Sequence, residues 1–408
     1  MFDTIVLRDN EHSEESGINL GTLCEALLFY QNVHIVIQDG TLSKLIRRVG
    51  IDNLRYLLDN HHCHLTYVRE FTAVRSLVEP RSGRLHHNFV AVGKVPGNAP
   101  SDRKFRSREY VADSIREVSA SIPQGKIDRL AERIHVSSIA DLSYGGVGIL
   151  QSARNDILDN SELNSAIRLL LELLVPGYIP DQSVLARIHD TNNGFVFEHN
   201  LDLPRLNDAY QATVPPGSGS LTEAFLLTRI LSSRLDLAVA LRFGTDIVSS
   251  NLSSALLTQK ISGILDKAAG NAAERNDFDN VVLAGAPSLR DSINSGEMPF
   301  EQFLTLLERA TRFKRWLRNL PPDVSLVNEY HREISKQDWY SRLPAKSLRF
   351  VFFTGLGLFA DVLAKQGVGS MIGVGLGAAD TFILDKLLKK WKPNQFVDDV
   401  LLNSLRRN

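Results

Sequence analysis

The first seventy residues alternate short apolar runs with helical periodicity, and that alternation limits the N-terminal part of the chain to a sheet with helices packed on it. Thr4-Ile5-Val6-Leu7 reads as a strand, Leu20 to Tyr30 repeats apolar residues at helical spacing, and Val33 to Ile37 is a second strand. Thr41 is placed to cap a helix carrying Leu42, Leu45, Ile46 and Val49, which Gly50 ends. Ile51 to Leu58 continues as another helix, and Leu65-Thr66-Tyr67-Val68 is a third strand. Strands separated by helices need crossover connections, so the sheet is at least partly parallel. Phe89-Val90-Ala91-Val92, after the turn residues Arg81-Ser82-Gly83, adds a fourth strand.

Residues 96–108 combine Pro, Gly, Asn and Ser with a run of cations and read as a loop or linker. Helical patterns dominate beyond it. Leu163 to Leu174 is one clear helix, stopped by Val175-Pro176-Gly177, and Phe195-Val196-Phe197 is an isolated strand in this otherwise helical region. Pro215-Pro216-Gly217-Ser218-Gly219 is the strongest punctuation in the chain. Ser220-Leu221-Thr222-Glu223 follows with the spacing of a capping box, Ser220 as cap and Glu223 reaching back. The pattern then stays helical in several pieces to Leu265, and Phe300 to Leu317 is a further amphipathic helix. The fold class expected is α+β. An N-terminal α/β domain with a three- to four-stranded, partly parallel sheet (1–108, with the basic linker) precedes a mixed, mostly helical part (109–216). A helical part with a glycine-rich C-terminal pair (217–408) completes the larger, mostly α-helical body.

Composition excludes the unusual classes. With 408 residues, 43% hydrophobic and 23% charged, the chain is neither disordered nor collagen-like, and it is long enough for two or three cores. The net charge of −1 means that a partner selected by charge must be met by a local patch. Two cysteines, Cys24 and Cys63, are too few for a disulfide scaffold and fit a reducing compartment. No cationic start followed by an apolar run opens the chain, so a cytoplasmic location is expected, peripheral at the inner membrane face if the C-terminal pair contacts lipid.

His61, His62, Cys63 and His64 precede the third strand, and His86 and His87 precede the fourth. If those strands are neighbours, imidazoles converge at one end of the sheet, which makes His62, His64, His86 and His87 candidates for phosphoester chemistry. On a strand only His62 and His64 share a face. The spacing matches no zinc module, so no metal and no cofactor is expected. Leu85-His86-His87-Asn88-Phe89-Val90-Ala91-Val92-Gly93 resembles the strand of phospholipase D-like phosphodiesterases that begins His-x-Lys and closes with Asp. Asn88 stands at the Lys position and Gly93 at the Asp position, and there is no second copy. What the resemblance implies is at most the topology without the chemistry.

From Arg75 to Arg108 eight cations are opposed only by Glu79 and Asp102. Arg103, Lys104, Arg106 and Arg108 are the candidate contacts for phosphate in nucleic acid or another polyanion. His189-Asp190 lacks the further ligands of an HD metal pair. Gly217-Ser218-Gly219-Ser220 lacks the lysine of a P-loop, and Asp277-Phe278-Asp279 offers only two loop carboxylates. No Gly-x-Ser-x-Gly elbow, His-Glu-x-x-His helix, Walker A or dinucleotide fingerprint is present, so no catalytic motif is recognisable.

Phe350 to Ala364 and Gly367 to Leu384 are apolar, glycine-rich stretches joined by Lys365-Gln366. Gly369, Gly373 and Gly377 recur every four residues, a row that lets another helix backbone approach closely. Lys386, Lys389, Lys390, Trp391 and Lys392 follow, as at a membrane edge. At about 22 and 27 Å the stretches fall short of a ~30 Å hydrocarbon core, and Asp361 and Asp380 lie within them. Two readings stay open: a tightly packed helical pair in a core, and a hairpin that self-associates, docks on a protein partner or enters a membrane after a trigger.

Two function classes follow. One is an intracellular, non-enzymatic effector or adaptor, of the kind found in bacterial defence and toxin proteins by analogy of architecture. Its basic region would sense phosphate, and its C-terminal pair would drive oligomerisation or membrane contact. The alternative is a phosphoester-processing hydrolase or nuclease using the N-terminal histidines.

Overall fold

The computed structural model describes residues 2, 4–8, 18–80, 82–93, 103–116, 121–142, 148–178, 183–215, 219–243, 246–248, 251–260, 277–279, 282–283, 287–320, 325–327, 330 and 393–406. The first elements are strand β1 (Thr4–Arg8), helix α1 (Leu20–Phe29), β2 (Asn32–Ile37), α2 (Asp39–Val49), α3 (Ile51–Asp59) and β3 (His64–Val68). Then come β4 (Glu70–Val78), β5 (Leu85–Gly93), α4 (Arg103–Arg116), α5 (Gln124–Ala131), β6 (His135–Ser137), α6 (Ile149–Leu158) and α7 (Asn160–Leu174). Strands β7 (Ala186–Thr191) and β8 (Gly194–His199) precede α8 (Leu203–Gln211), α9 (Glu223–Phe243), β9 (Asp246–Val248) and α10 (Asn251–Lys260). The later helices include α11 (Leu289–Asn294), α12 (Phe300–Arg309) and α13 (Thr311–Arg318).

The α+β class holds, and the N-terminal strands form a sheet of order β6-β3-β2-β1-β9 with β2, β3 and β6 parallel. The expected fourth strand, β5, belongs elsewhere. It pairs with β4 and β8 in an antiparallel sheet of order β4-β5-β8-β7. Only Arg69 separates β3 from β4, too few residues for a crossover, so the chain leaves the parallel sheet and starts a new one. Phe195-Val196-Phe197 is likewise not isolated: β8 forms a hairpin with β7 in full register from Ala186↔His199 to Thr191↔Gly194.

Several local expectations are corrected. Residues 103–108 are the first turns of α4, not linker. Helix α2 begins two residues before Thr41, after Gln38. The amphipathic stretch from Phe300 breaks at Ala310 into α12 and α13. Asp159 caps α7 by accepting from the Ser161 and Glu162 N–H groups.

The chain divides into two compact units, one of 6–17 and 34–265, the other of 1–5, 18–33 and 266–408. In the first, α9 serves two cores. Leu226, Leu227 and Ile230 pack with α7, α8 and the inner face of the antiparallel sheet, including Phe195 and Phe197. One turn further on, Leu231, Leu235, Ala238 and Val239 pack with Val6, Val36 and Val68 of the parallel sheet and with Ile149 and Ala153 of α6. A helix used on all sides needs apolar residues all round, and Arg8–Asp236 and the bidentate Arg234–Asp156 pair answer the charges it carries inward.

The second unit is held by rings. Phe29 meets Phe278 and Phe313 at 6.2 and 6.1 Å between centroids, and Phe313 stacks on Phe396 at 5.0 Å. Gly21 of α1 lies on α11 so closely that an added Cβ would sit 2.5 Å from the Arg290 carbonyl oxygen and 2.8 Å from its Cα. Those are backbone atoms that cannot turn aside. Gly21→Ala is therefore expected to destabilise the protein by about 1–3 kcal/mol, although Ala is the better helix former by about 1 kcal/mol. Thermal melting checks this, and an unchanged or raised Tm would contradict it.

Candidate active site at the β4–β5 hairpin

The site follows from register. In the β4–β5 ladder Ser76 lies opposite His87. The Glu79 N–H donates to the Arg84 carbonyl (2.8 Å), which puts the ladder hydrogen bonds on odd-numbered residues of β4. On the other side of the strand, Gln38 donates to the Glu70 carbonyl (3.2 Å), so even-numbered residues turn their N–H and C=O away from β5. Ser76 and His87 thus form a non-hydrogen-bonded pair, the kind in which facing side chains come closest. Ser76 Oγ lies 2.8 Å from His87 Nδ1. Ser76 is exposed, whereas the His87 side chain is only 1% exposed, its ring 5.9 Å from that of Phe195.

Gly194 fixes this part of β5 against β8. Its φ of +127° suits glycine, and a Cβ there would stand 2.4 Å from the His87 carbonyl oxygen.

His87 Nε2 faces Glu223 Oε2 at 2.7 Å, and His199 Nε2 faces Glu223 Oε1 at 3.2 Å. The Leu201 N–H donates to His199 Nδ1 (3.1 Å), which assigns the His199 proton to Nε2. Glu223 is the first residue of α9, where the helix dipole favours an anion. Hydrogen bonds from His199 and then from His87 hold its carboxyl well below the ordinary 4.5, at about 2. The capping box read from the sequence is not formed by these residues. Thr222 Oγ1 accepts from the Phe225 N–H (3.1 Å), leaving the Glu223 carboxylate to the two imidazoles.

The resulting chain is hydroxyl, imidazole, carboxylate. An ionised carboxylate can only accept, so a neutral His87 ring carries its proton on Nε2 and leaves the Nδ1 lone pair to accept from the Ser76 hydroxyl. This is the arrangement that makes a serine nucleophilic, with the two ring nitrogens exchanged relative to the serine-protease template.

The other histidines named from the sequence lie apart from it. His86 is on the opposite face of the sheet, buried, with Nδ1 3.1 Å from Thr191 Oγ1 and Nε2 3.7 Å from Glu79 Oε2. His64 begins β3 and stacks on His34 at 5.1 Å, where burial first and the His64 charge second lower the pKa of His34. His62 precedes β3, its ring 5.8 Å from that of Tyr56. The expected convergence fails because β3 and β5 belong to different sheets. Among the described residues no group of three or more His, Cys, Asp or Glu is placed to hold a metal.

Arg103, Lys104 and Arg106 fall in the first turns of α4, their side chains outside what is described, and Arg108 pairs with Glu132 at 3.1 Å. His189 pairs with Glu198 and Asp190 with Arg154 on the surface of β7. Gly369, Gly373, Gly377, Lys386, Lys389, Lys390 and Trp391 lie outside the described residues. No helix among the described residues is long and apolar enough to cross a membrane.

Sequence reasoning named His87 but missed Ser76, His199 and the role of Glu223. These residues sit on four elements at no fixed spacing. The available signal was a glutamate just after the Pro-Pro-Gly-Ser-Gly break, at a helix start. Comparison with protein-family models, curated proteins and solved structures finds no match.

Because the Glu223 carboxyl is held at about 2, its ionised form stabilises the fold fully above the ordinary 4.5 and loses that contribution as pH falls toward 2. Glu223→Gln is expected to cost about 1–2 kcal/mol at pH 7, the low end for a charge-assisted pair because the carboxylate is partly exposed. Urea unfolding should show the gap between wild type and variant closing between pH 4.5 and 2. A gap that persists or widens in acid would contradict this.

Proposed function

We propose that the chain is a hydrolase working through an acyl-serine at Ser76. The observation that supports this reading is the hydrogen-bonded order Ser76–His87–Glu223, with an exposed hydroxyl at one end and an ionised carboxylate at the other. Ser76 Oγ bonds to a substrate carbonyl carbon as its proton passes to His87 Nδ1. His87 then gives that proton to the leaving group, whose bond to the carbonyl carbon breaks. A water takes the same route in reverse, losing a proton to His87 and releasing the carboxylic acid and Ser76. Glu223 keeps the imidazole in its Nε2–H tautomer and stabilises the imidazolium formed in each step. His199 occupies the second carboxylate oxygen and so fixes Glu223 in turn.

This reading narrows the histidine-based hydrolase expected from the sequence to one imidazole, and it favours acyl over phosphoryl transfer. The strand neighbours of Ser76, Arg75 and Leu77, point to the other face of β4, so the Arg75 cation is not presented to the hydroxyl. A fluorophosphonate probe tests the assignment. Wild-type protein should be labelled at Ser76 and Ser76→Ala not at all, and His87→Gln should slow labelling about 10²- to 10⁴-fold. Equal labelling of wild type and Ser76→Ala would overturn it.

The glycine row of the sequence favours a second reading, in which the C-terminal pair gives the protein an effector role by association with itself or with a membrane. Flotation with anionic vesicles should then recover the wild type, aided by Lys386, Lys389, Lys390 and Lys392, and lose Gly373→Leu. If neither protein floats and Gly373→Leu changes no oligomeric state, this reading is wrong.

A further inference from the structure

The edge of the antiparallel sheet carries the reading of Ser76 as nucleophile one step further, to the substrate. Strand β4 ends the order β4-β5-β8-β7, so among the described residues one side of its backbone has no strand neighbour. The phase fixed by Glu70 and Glu79 turns the N–H and C=O of Ser76 and Val78 to that open side. The last four residues, Arg75, Ser76, Leu77 and Val78, are all exposed, Val78 at 62%. Near Glu70 the same edge is occupied by Gln38, so among the described residues the open length is the end that holds the nucleophile.

We infer that the substrate is an extended polypeptide that adds to β4 as an antiparallel edge strand, its scissile carbonyl opposite Ser76. Pairing at Ser76 would be of the hydrogen-bonded type. The Ser76 N–H donates to the carbonyl of the facing peptide residue, and that residue's N–H donates to the Ser76 carbonyl. The peptide planes lie near the plane of the sheet, whereas the Ser76 side chain stands out of it, on the face shared with His87. Oγ is thereby set to approach the carbonyl carbon from above its plane. The same Ser76 N–H that aligns the peptide then faces the oxygen on which negative charge develops, so one backbone donor serves binding and the oxyanion together.

The cleavage is the acyl transfer already written, with an amine as leaving group: the carbonyl C–N bond breaks and His87 protonates the departing nitrogen. A small ester can be attacked at the same hydroxyl without pairing to the edge. A polypeptide gains the register that brings its carbonyl to Oγ. Arg75 and Leu77 alternate to the opposite face and leave the peptide's side chains on the Ser76 face to meet the α9 side of the sheet.

This inference rests on the hydrolase reading, and the experiment separates the two. Full-length protein is incubated with β-casein, an unstructured polypeptide, with p-nitrophenyl acetate, and with a fluorophosphonate probe, in wild-type and Ser76→Ala forms. The expected result is new casein termini by mass spectrometry in the wild type only. Casein should also slow fluorophosphonate labelling of Ser76 at least fivefold, and a backbone N-methylated peptide of mixed sequence should give no such protection. Probe labelling and ester hydrolysis with casein intact and unprotective would overturn the polypeptide substrate while leaving Ser76 a nucleophile. No labelling of Ser76 and no ester hydrolysis would overturn both.

Discussion

Helix α9 is the constraint on which the larger unit depends. Its side chains complete one core against the antiparallel sheet and, a turn later, another against the parallel sheet, so its position sets both. Such a helix has no solvent face along much of its length, and its few charges must be answered by partners. Asp236 meets Arg8 from β1, and Arg234 meets Asp156 from α6. Removing one member of such a pair leaves an uncompensated charge in a dry place, a larger loss than the pair itself contributes.

The proposed site is a consequence of where that helix starts. Thr222 caps the helix, and Glu223 stands at its first position facing the inner side of the sheet. There the carboxylate reaches an imidazole from β5 and another from the end of β8. The dependence on register is strict. A one-residue slip between β4 and β5 would send Ser76 and His87 to opposite faces, while the Gly194 backbone pressed on His87 holds β5 in turn against β8.

The sequence made the local elements legible where periodicity and punctuation agreed. Leu163 to Leu174 and its stop at Val175-Pro176-Gly177 match α7, and the alternation of strands and helices to Val68 matches the parallel sheet. What stayed hidden is long-range pairing. Nothing in Phe89-Val90-Ala91-Val92 states which sheet it joins; that is decided by Arg69 alone standing between β3 and β4. Glu223 fits a capping box by spacing, yet two imidazoles brought by β5 and β8 compete for its oxygens more strongly than the backbone N–H of Ser220. Ser76 carries no local signal, because its partner lies eleven residues away across a hairpin and the third member lies on a different helix.

The proposed chemistry turns on one nitrogen. If His87 is the base for Ser76, its neutral ring holds the proton on Nε2, toward Glu223, and presents an unprotonated Nδ1 to the hydroxyl. Long-range ¹H–¹⁵N correlation spectra of histidine-labelled protein at pH 8, with His87 assigned by its loss in His87→Gln, read this directly. The expected result is the Nε2–H tautomer for His87, shifting on Ser76→Ala at Nδ1 alone. An Nδ1–H tautomer, with the ring donating to Ser76, would leave the serine without a base and contradict it.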